Sequence, residues 1–232
     1  MENKQSTDTL MMVRPVQFRF NEQTAINNYY QKAIEGLSES EIQSKASKEF
    51  EEFVKKLRGK KINVIVVDDT PEPSTPDSIF PNNWVSFHDD GRVGLYPMYA
   101  VNRRSERRND ILEQFKEKES LKISEIIDFS SHEDESRFLE GTGSMILDRP
   151  NKIAYAAISV RTNEIVLDEF CEKFNYTAVK FTANQTFEGT RLPIYHTNVM
   201  MCVADELAIL CADSIDEASE RKAVIDSLEK TG

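Results

Sequence analysis

The sequence is poor in cysteine, with three in 232 residues. Cys171, Cys202 and Cys211 are irregularly spaced, so they form neither a CxxC pair nor the regular set that marks a disulfide framework. His, Cys, Asp and Glu nowhere cluster with the spacing of metal ligands, so no metal is predicted. The three cysteines are therefore predicted to be reduced thiols in a cytoplasmic protein.

Long apolar runs and an excess of basic residues are also missing. No run approaches the ~20 residues of a membrane-spanning helix, and the N-terminal residues 1–11 lack the apolar core of a signal peptide. The formal net charge of −11 argues against a nucleic-acid or anionic-membrane partner. Cytoplasmic localisation, without membrane contact, is the prediction.

The remaining sequence is typical of an α/β protein. Residues 1–11 are polar and without periodicity, which predicts a disordered tail before a single domain over 12–232. A strand is predicted at 13–20 and a helix at 24–35, and Ser38 and Glu41 have the spacing of a capping box for a longer helix. The apolar positions of that helix predict one buried stripe, and these are Ile42, Ala46, Phe50, Phe53 and Leu57. The run Ile62–Val67 predicts a strand covered on both faces.

From residue 84 onward the order strand–strand–helix–strand repeats. The hairpin turns lie near residues 90, 150 and 205, a period of roughly 55–60 residues. The hairpins are predicted at 84–96, 144–157 and 199–211, the helices at 105–119, 163–174 and 215–228, and the closing strands at 122–129 and 176–181. The third repeat stops after its helix, which predicts either a natural variant or a piece of something longer.

Polar residues recur where these repeats begin and end. Asp77, Asn82 and Asn83 precede the first hairpin and Arg103 and Arg104 follow it; Glu140, before two glycines, precedes the second and Arg161 follows it; His196 and Asn198 open the third. If the repeats surround an axis, these side chains converge into a polar small-molecule site. An acid for an amine and an arginine for a carboxylate would suit a small zwitterion.

Each of these residues also has a structural interpretation. Asp77 is compatible with a turn former, the arginines with a solvated helix start, and His196 with a structural histidine. His88 and His132 are predicted to lie at the surface. The cysteines are predicted to be buried structural residues, because Cys202 and Cys211 lie in an apolar hairpin and Cys171 lies on a helix.

Five segments together resemble a known family: PDSIFPNNW, LYPMYAVNRRSERR, LEGTGSMILDR, SVRTNE and YHTNVMMCV. They are similar to the arginine deiminase-related proteins of the amidinotransferase, or guanidine-modifying, superfamily, nearest the citrulline-utilisation hydrolase type. The resemblance implies a pentein-type α/β propeller of ββαβ repeats. It also implies a cofactor-free hydrolysis in which a cysteine thiolate attacks a guanidinium carbon and forms a thiouronium intermediate.

The same resemblance implies roles for residues. His196 would be the general acid/base and Glu140 its supporting carboxylate. Asp77 resembles the acid that binds the substrate's polar end in dimethylarginine dimethylaminohydrolase, and Arg103 and Arg161 match arginines on the substrate carboxylate.

Two departures from the family pattern stand out. Asn82-Asn83 replaces a Glu-Asp pair and Asn198 replaces an aspartate, which favours a neutral ureido or modified guanidine as substrate. The family's nucleophilic cysteine is expected beyond residue 232.

Two functions follow from this reading. The first is a hydrolase acting on C–N bonds of a guanidino or ureido amino acid. The alternative is a catalytically dead propeller module that binds such an amino acid. A homo-oligomer or a missing C-terminal fragment is predicted as the protein partner.

Overall fold

A computed structural model describes residues 4–33, 36–117 and 121–231. The chain divides into two compact units that alternate along the sequence. The smaller unit comprises Thr7–Pro81 and Ala100–Lys122, and the larger unit comprises Met1–Ser6, Asn82–Tyr99 and Ile123–Gly232. Across the described part of the chain, no helix is both long enough and apolar enough to cross a membrane.

The smaller unit is built on two parallel strands joined through helices. Strand β1 (Thr9–Arg14) pairs in parallel with β2 (Asn63–Asp68), and α1 (Glu22–Ala25) and α2 (Glu39–Gly59) lie between them in the sequence. Helix α3 (Asn109–Glu117) follows later in the chain. The predicted capping box starts α2, since the Ser38 hydroxyl accepts from the Glu41 N–H and the Glu41 carboxylate accepts from the Ser38 N–H.

Several predictions for this unit need correction. The first strand begins at Thr9, inside the segment predicted to be disordered, and ends at Arg14. In place of the helix predicted at 24–35, the structure has the single turn Glu22–Ala25. Positions 34 and 35 of the predicted helix lie outside the described residues. On α2, Val54 is buried and Phe53 is 53% exposed, because the stripe facing β2 follows positions 50, 54 and 57.

The predicted strand at 62–67 is present as β2, but it is only partly covered, with Val64 as its buried residue. The helix predicted at 105–119 begins at Asn109, because Val101–Glu106 forms a 3₁₀ turn, and positions 118 and 119 lie outside the described residues.

The larger unit contains the predicted repeats. The first sheet has β3 (Val85–Phe87), β4 (Arg92–Leu95) and β5 (Glu125–Asp128), and the second has β6 (Ile146–Asp148), β7 (Ile153–Ala157) and β8 (Thr177–Phe181). In both sheets the first two strands are antiparallel and the third is parallel to the second. The hairpin of β11 (Met201–Val203) and β12 (Ala208–Leu210) is the third repeat.

Three helices accompany these strands, α4 (Gly141–Ser144), α5 (Glu164–Phe174) and α6 (Ala218–Thr231). The sequence did not predict the hairpin of β9 (Asn184–Phe187) and β10 (Thr190–Pro193), which turns at Glu188 and Gly189 with positive φ at both. The mixed α/β class is thus confirmed, and the propeller arrangement within one domain stays a prediction.

Histidine 88 is buried in the core of the larger unit, so its prediction as a surface residue was wrong. It is 8% exposed, its ring centroid lies 4.2 Å from that of Phe174, and its Nε2 lies 2.9 Å from the Ser86 hydroxyl. Burial lowers the pKa of His88 to about 3, with Arg149 as the next contribution. His132 is partly buried and its Nε2 lies 2.7 Å from a carboxylate oxygen of Glu169.

Candidate active site

A buried histidine–carboxylate pair lies in the larger unit. His196 is 5% exposed and Glu140 is fully buried, and His196 Nε2 donates to Glu140 Oε2 at 2.7 Å. Glu140 immediately precedes α4, and His196 immediately precedes a 3₁₀ turn at Thr197–Val199. The structure thus brings together the two residues predicted to be catalytic, 56 positions apart in the sequence.

The backbone around both residues is fixed by Thr197, which has no exposed surface. Its hydroxyl donates to the Ser144 carbonyl at 2.6 Å and accepts from the Ala157 N–H at 2.8 Å. The Glu140 N–H in turn lies 2.8 Å from the Ser144 hydroxyl. Because Ser144 bonds to both Glu140 and Thr197, it holds the start of α4 against the turn that follows His196.

Arg161 contacts the same carboxylate. It is 1% exposed, and its Nη1 lies 3.3 Å from Glu140 Oε2. Its guanidinium carbon lies 4.9 Å from the ring centroid of Tyr195 and 5.5 Å from that of Tyr99. The Tyr99 N–H donates to Glu140 Oε1 at 2.9 Å. The buried negative charge therefore has a cation, an imidazole and a backbone N–H around it, as a buried carboxylate requires.

Two glycines permit the close packing of this site. Gly141 has φ of +45°, a region that glycine enters without strain, and its Cα faces the carbonyl of Asn82. A β-carbon at Gly143 would meet the amide nitrogen of Asn83 and lie 2.9 Å from the His196 ring. The predicted glycine turn thus brings backbone against His196 and the 4%-exposed Asn83.

The other two predicted asparagines lie differently. Asn82 is partly exposed, and its carbonyl lies 3.5 Å from the Thr142 hydroxyl. Asn198 is exposed and lines a groove of about 380 Å³ on the β11–β12 hairpin, together with Cys202, Ile209 and Cys211. The predicted burial of Cys202 and Cys211 was wrong, since both are exposed, whereas Cys171 is buried as predicted.

The smaller unit holds the predicted residues Asp77 and Arg103. Arg103 is 2% exposed, and its Nε and Nη2 donate to the two carboxylate oxygens of Glu106 at 2.9 and 2.8 Å. Arg103 Nε also lies 3.8 Å from Asp77 Oδ2, which accepts from Asn21 Nδ2 at 2.7 Å. The guanidinium fork expected to bind a substrate carboxylate is thus engaged by Glu106 within this unit.

The bidentate geometry of the Arg103–Glu106 pair gives a first expected result. Arg103→Lys keeps the charge but replaces the planar fork by a point charge, which removes one of the two hydrogen bonds from residue 103 to the buried Glu106 carboxylate. We expect the free energy of unfolding to fall by about 1–3 kcal/mol, measured by urea denaturation. Arg108→Lys is the matched control, because Arg108 makes the same two-donor contact with the exposed Asp110. Equal losses in both variants would contradict the expectation.

Sequence reasoning missed Tyr99, Tyr195, Glu106 and Asn21 as members of these clusters. Tyr195 adjoins His196 in the YHTN segment and Tyr99 lies in LYPMYAV, but neither tyrosine was predicted to have a role. Only the fold shows that their rings lie near the guanidinium of Arg161. Glu106 follows Arg103 by three residues, a spacing that would have indicated an ion pair on a helical turn.

The ββαβ repeats and the buried His196–Glu140 pair agree with the resemblance to the guanidine-modifying superfamily, and the match to a family model supports that class. The family model described as N,N dimethylarginine dimethylhydrolase, eukaryotic, matches residues 14–232, and the chain belongs to this family. A comparison with curated protein sequences finds no match.

Solved structures share this fold at low sequence identity. One is the substrate-bound N-terminal domain of ArgZ, an arginine dihydrolase from the ornithine-ammonia cycle in Cyanobacteria; the TM-score is 0.71 at 16% identity, over 95% of this chain and 72% of that domain. AgrE with ornithine and NAD⁺ gives a TM-score of 0.72 at 16% identity, over 96% of this chain and 29% of AgrE.

The structure of a dimethylarginine dimethylaminohydrolase adduct with S-methyl-L-thiocitrulline gives a TM-score of 0.51 at 14% identity, over 77% of this chain and 62% of that chain. The chain spans 28% of a longer ArgZ chain.

Proposed function

We propose that the chain supplies the acid/base part of a hydrolase that cleaves a C–N bond of a guanidino or ureido amino acid. The observation that supports this function is the buried His196–Glu140 pair, with 2.7 Å between Nε2 and Oε2. An imidazole held by a carboxylate is suited to give a proton to a leaving amine and then to take one from water. Membership of the dimethylarginine dimethylhydrolase family supports the same reaction class.

In the proposed reaction a cysteine thiolate forms a C–S bond to the central carbon of the substrate. The C–N bond to the leaving amine breaks as protonated His196 gives its proton to that nitrogen. Water then loses a proton to His196 and adds to the carbon, and the C–S bond breaks, which returns the thiolate and releases a urea such as citrulline from a guanidino substrate, or a carbamate from a ureido substrate. The reaction needs no metal or organic cofactor.

We place the nucleophile outside residues 1–232. Burial raises the pKa of Cys171 to about 11, so this residue is a thiol at neutral pH. Cys202 and Cys211 lie on the β11–β12 hairpin, and Cys202→Ala is expected to leave turnover unchanged.

The substrate class follows from charge. Asn83 and His196 both lie against Gly143. Asn83 thus puts a neutral amide where relatives are expected to carry an acid, which favours a ureido or alkylated guanidino group over arginine itself.

The test uses the full-length protein that contains this chain. We expect amine or ammonia release from at least one of dimethylarginine, citrulline and arginine, and His196→Gln is expected to lower the rate by about 100-fold or more. His132→Gln is the matched control, because it also removes a histidine that contacts a glutamate at 2.7 Å. A rate that both substitutions lower equally would contradict the role of His196.

A binding module without chemistry is the second candidate, favoured by the burial of Cys171, which raises its pKa to about 11, and by the hairpin position of the other cysteines. It is distinguished by calorimetry. Saturable binding of these amino acids, with no amine released by the full-length protein, would establish the module and overturn the hydrolase.

A further inference from the structure

We propose that Ser159 is a positioning residue that joins two parts of the candidate site, the turn that carries Arg161 and the main chain next to His196. The inference deepens the proposed function and rests on it for its kinetic part. Ser159 belongs to the SVRTNE segment, although no role was predicted for it. Two hydrogen bonds of its hydroxyl support the proposal.

The first of these hydrogen bonds fixes the turn itself. Residues 159–162 form a tight turn between β7 and α5, in which Ser159 and Thr162 exchange two main-chain hydrogen bonds, at 3.3 and 3.1 Å. Inside the turn the Arg161 N–H donates to the Ser159 hydroxyl at 3.1 Å. A serine hydroxyl that binds the main chain two residues further on stabilises a turn of this kind. The backbone of Arg161 is therefore fixed relative to Ser159.

The second hydrogen bond joins the turn to the chain just before His196. The Ser159 hydroxyl donates to the Tyr195 carbonyl at 2.9 Å, across 36 positions of the sequence. A hydroxyl has one proton and two lone pairs, so it can donate to Tyr195 while it accepts from Arg161. The Thr162 hydroxyl, at 3.5 Å, is the more distant acceptor. Because the Tyr195 carbonyl and the His196 nitrogen share one planar peptide group, this bond fixes the plane from which the His196 side chain starts.

The opposite side of the turn is bonded to the segment of Glu140. The Arg161 carbonyl accepts from the Glu140 N–H at 3.3 Å and from the Ser144 hydroxyl at 2.6 Å. The turn is thus bonded to the main chain of both members of the His196–Glu140 pair. On the His196 side the bond is made by the side chain of Ser159, so a substitution can remove it without a change in the backbone.

These contacts matter for a substrate that is held at one end and reacts at the other. Arg161 is the predicted ligand of a substrate carboxylate, and His196 is proposed to transfer protons at the guanidino or ureido group. The separation of the two side chains has to match the length of the substrate, because a misplacement of about 1 Å can lower a rate by about 100-fold. The Ser159 hydroxyl binds the main chain next to both, so it helps to set that separation.

A first test needs no turnover and uses the full-length protein that contains this chain. The Arg161 amide proton loses its acceptor in Ser159→Ala, so we expect its exchange with solvent deuterium to become about threefold faster or more. The imidazole NMR signals of His196, assigned by their loss in His196→Gln, should shift in the same variant. Ser124→Ala is the matched control, because the Ser124 hydroxyl likewise donates to a distant carbonyl, that of Asp90. The control should change neither the exchange rate nor the imidazole signals.

The kinetic test uses whichever of dimethylarginine, citrulline and arginine the full-length protein turns over. We expect Ser159→Ala to lower kcat/KM about tenfold or more, with a fall in kcat and a rise in KM, because His196 and Arg161 lose their relative position. Ser159→Thr keeps the hydroxyl and should retain kcat/KM to within about threefold, and Ser124→Ala to within about twofold. Equal losses in Ser159→Thr and Ser159→Ala would overturn the role of the hydroxyl.

The two measurements separate the two proposals. If the protein turns over none of these amino acids, the proposed function fails, while the exchange rate and the NMR signals still decide the role of Ser159. Faster exchange at Arg161 with unchanged His196 signals would show a role in the turn alone, and it would overturn the positioning role whatever the activity.

Discussion

Replacing Glu140 by glutamine is expected to lower the free energy of unfolding by about 3–5 kcal/mol, the cost of removing one member of a buried ion pair. The substitution preserves shape, so the loss arises from charge. Arg161, at 1% exposure, would keep its positive charge with an amide in place of the carboxylate. The glutamine amide has one oxygen acceptor where the carboxylate has two. Either the His196 N–H or the Tyr99 N–H therefore loses its acceptor.

The measurement is urea denaturation of Glu140→Gln beside Glu169→Gln. Glu169 makes the same 2.7 Å contact with a histidine, His132, but its side chain is 39% exposed. Water replaces the lost partner there, so the expected loss is at most about 1 kcal/mol. If Glu140→Gln lowers the free energy of unfolding by no more than Glu169→Gln does, Glu140 does not belong to a desolvated cluster of charges.

The second large effect is acid destabilisation through His88. The native state keeps this imidazole neutral down to pH about 3, whereas in the unfolded chain it takes up a proton near pH 6.5. Between these two values the unfolded state binds the extra proton. The contribution of His88 to stability is therefore complete above about pH 6.5 and is lost as the pH falls towards 3, by about 1.4 kcal/mol per pH unit.

The window from pH 5 to 6.5 lies above the range in which ordinary carboxylates titrate, and a comparison with His88→Phe separates His88 from the other two histidines. We expect the free energy of unfolding of the unsubstituted protein, measured by denaturation, to fall as the pH is lowered across this window. The free energy of unfolding of His88→Phe, which keeps an aromatic ring against Phe174, should fall less. NMR should show that the ring does not titrate above pH 4. A native-state titration of His88 near pH 6.5 would contradict the expectation.

Much of the fold was predictable because its signals are local. The hairpin turns, the capping box at Ser38 and the ββαβ order all depend on neighbours in the sequence. The β9–β10 hairpin was missed because its flanking residues are mostly polar, and its turn signal, Glu188-Gly189, is only two residues long. Phe53 and Val54 were confused because a one-residue shift in a helical stripe moves a side chain by 100° around the axis.

The site was predictable in part for the same reason. His196 and Glu140 were found through their motifs, and the structure pairs them. Arg103 and Arg161 each contact an internal glutamate, and their role as ligands of a substrate carboxylate stays a prediction. These internal contacts were not predicted, because a sequence does not show which acids the fold brings near an arginine. Cys202 and Cys211 were misjudged because apolar neighbours in a hairpin do not reveal which face is covered.

Gly143 is a position of the candidate site at which the structure leaves no room for a side chain. The volume next to its Cα is already taken by the Asn83 amide and the His196 ring. A single added methyl group would clash with both, so the amide or the imidazole would have to move. The orientation of the His196 ring therefore depends partly on the absence of a β-carbon at position 143, and any redesign of this turn must leave that space unfilled.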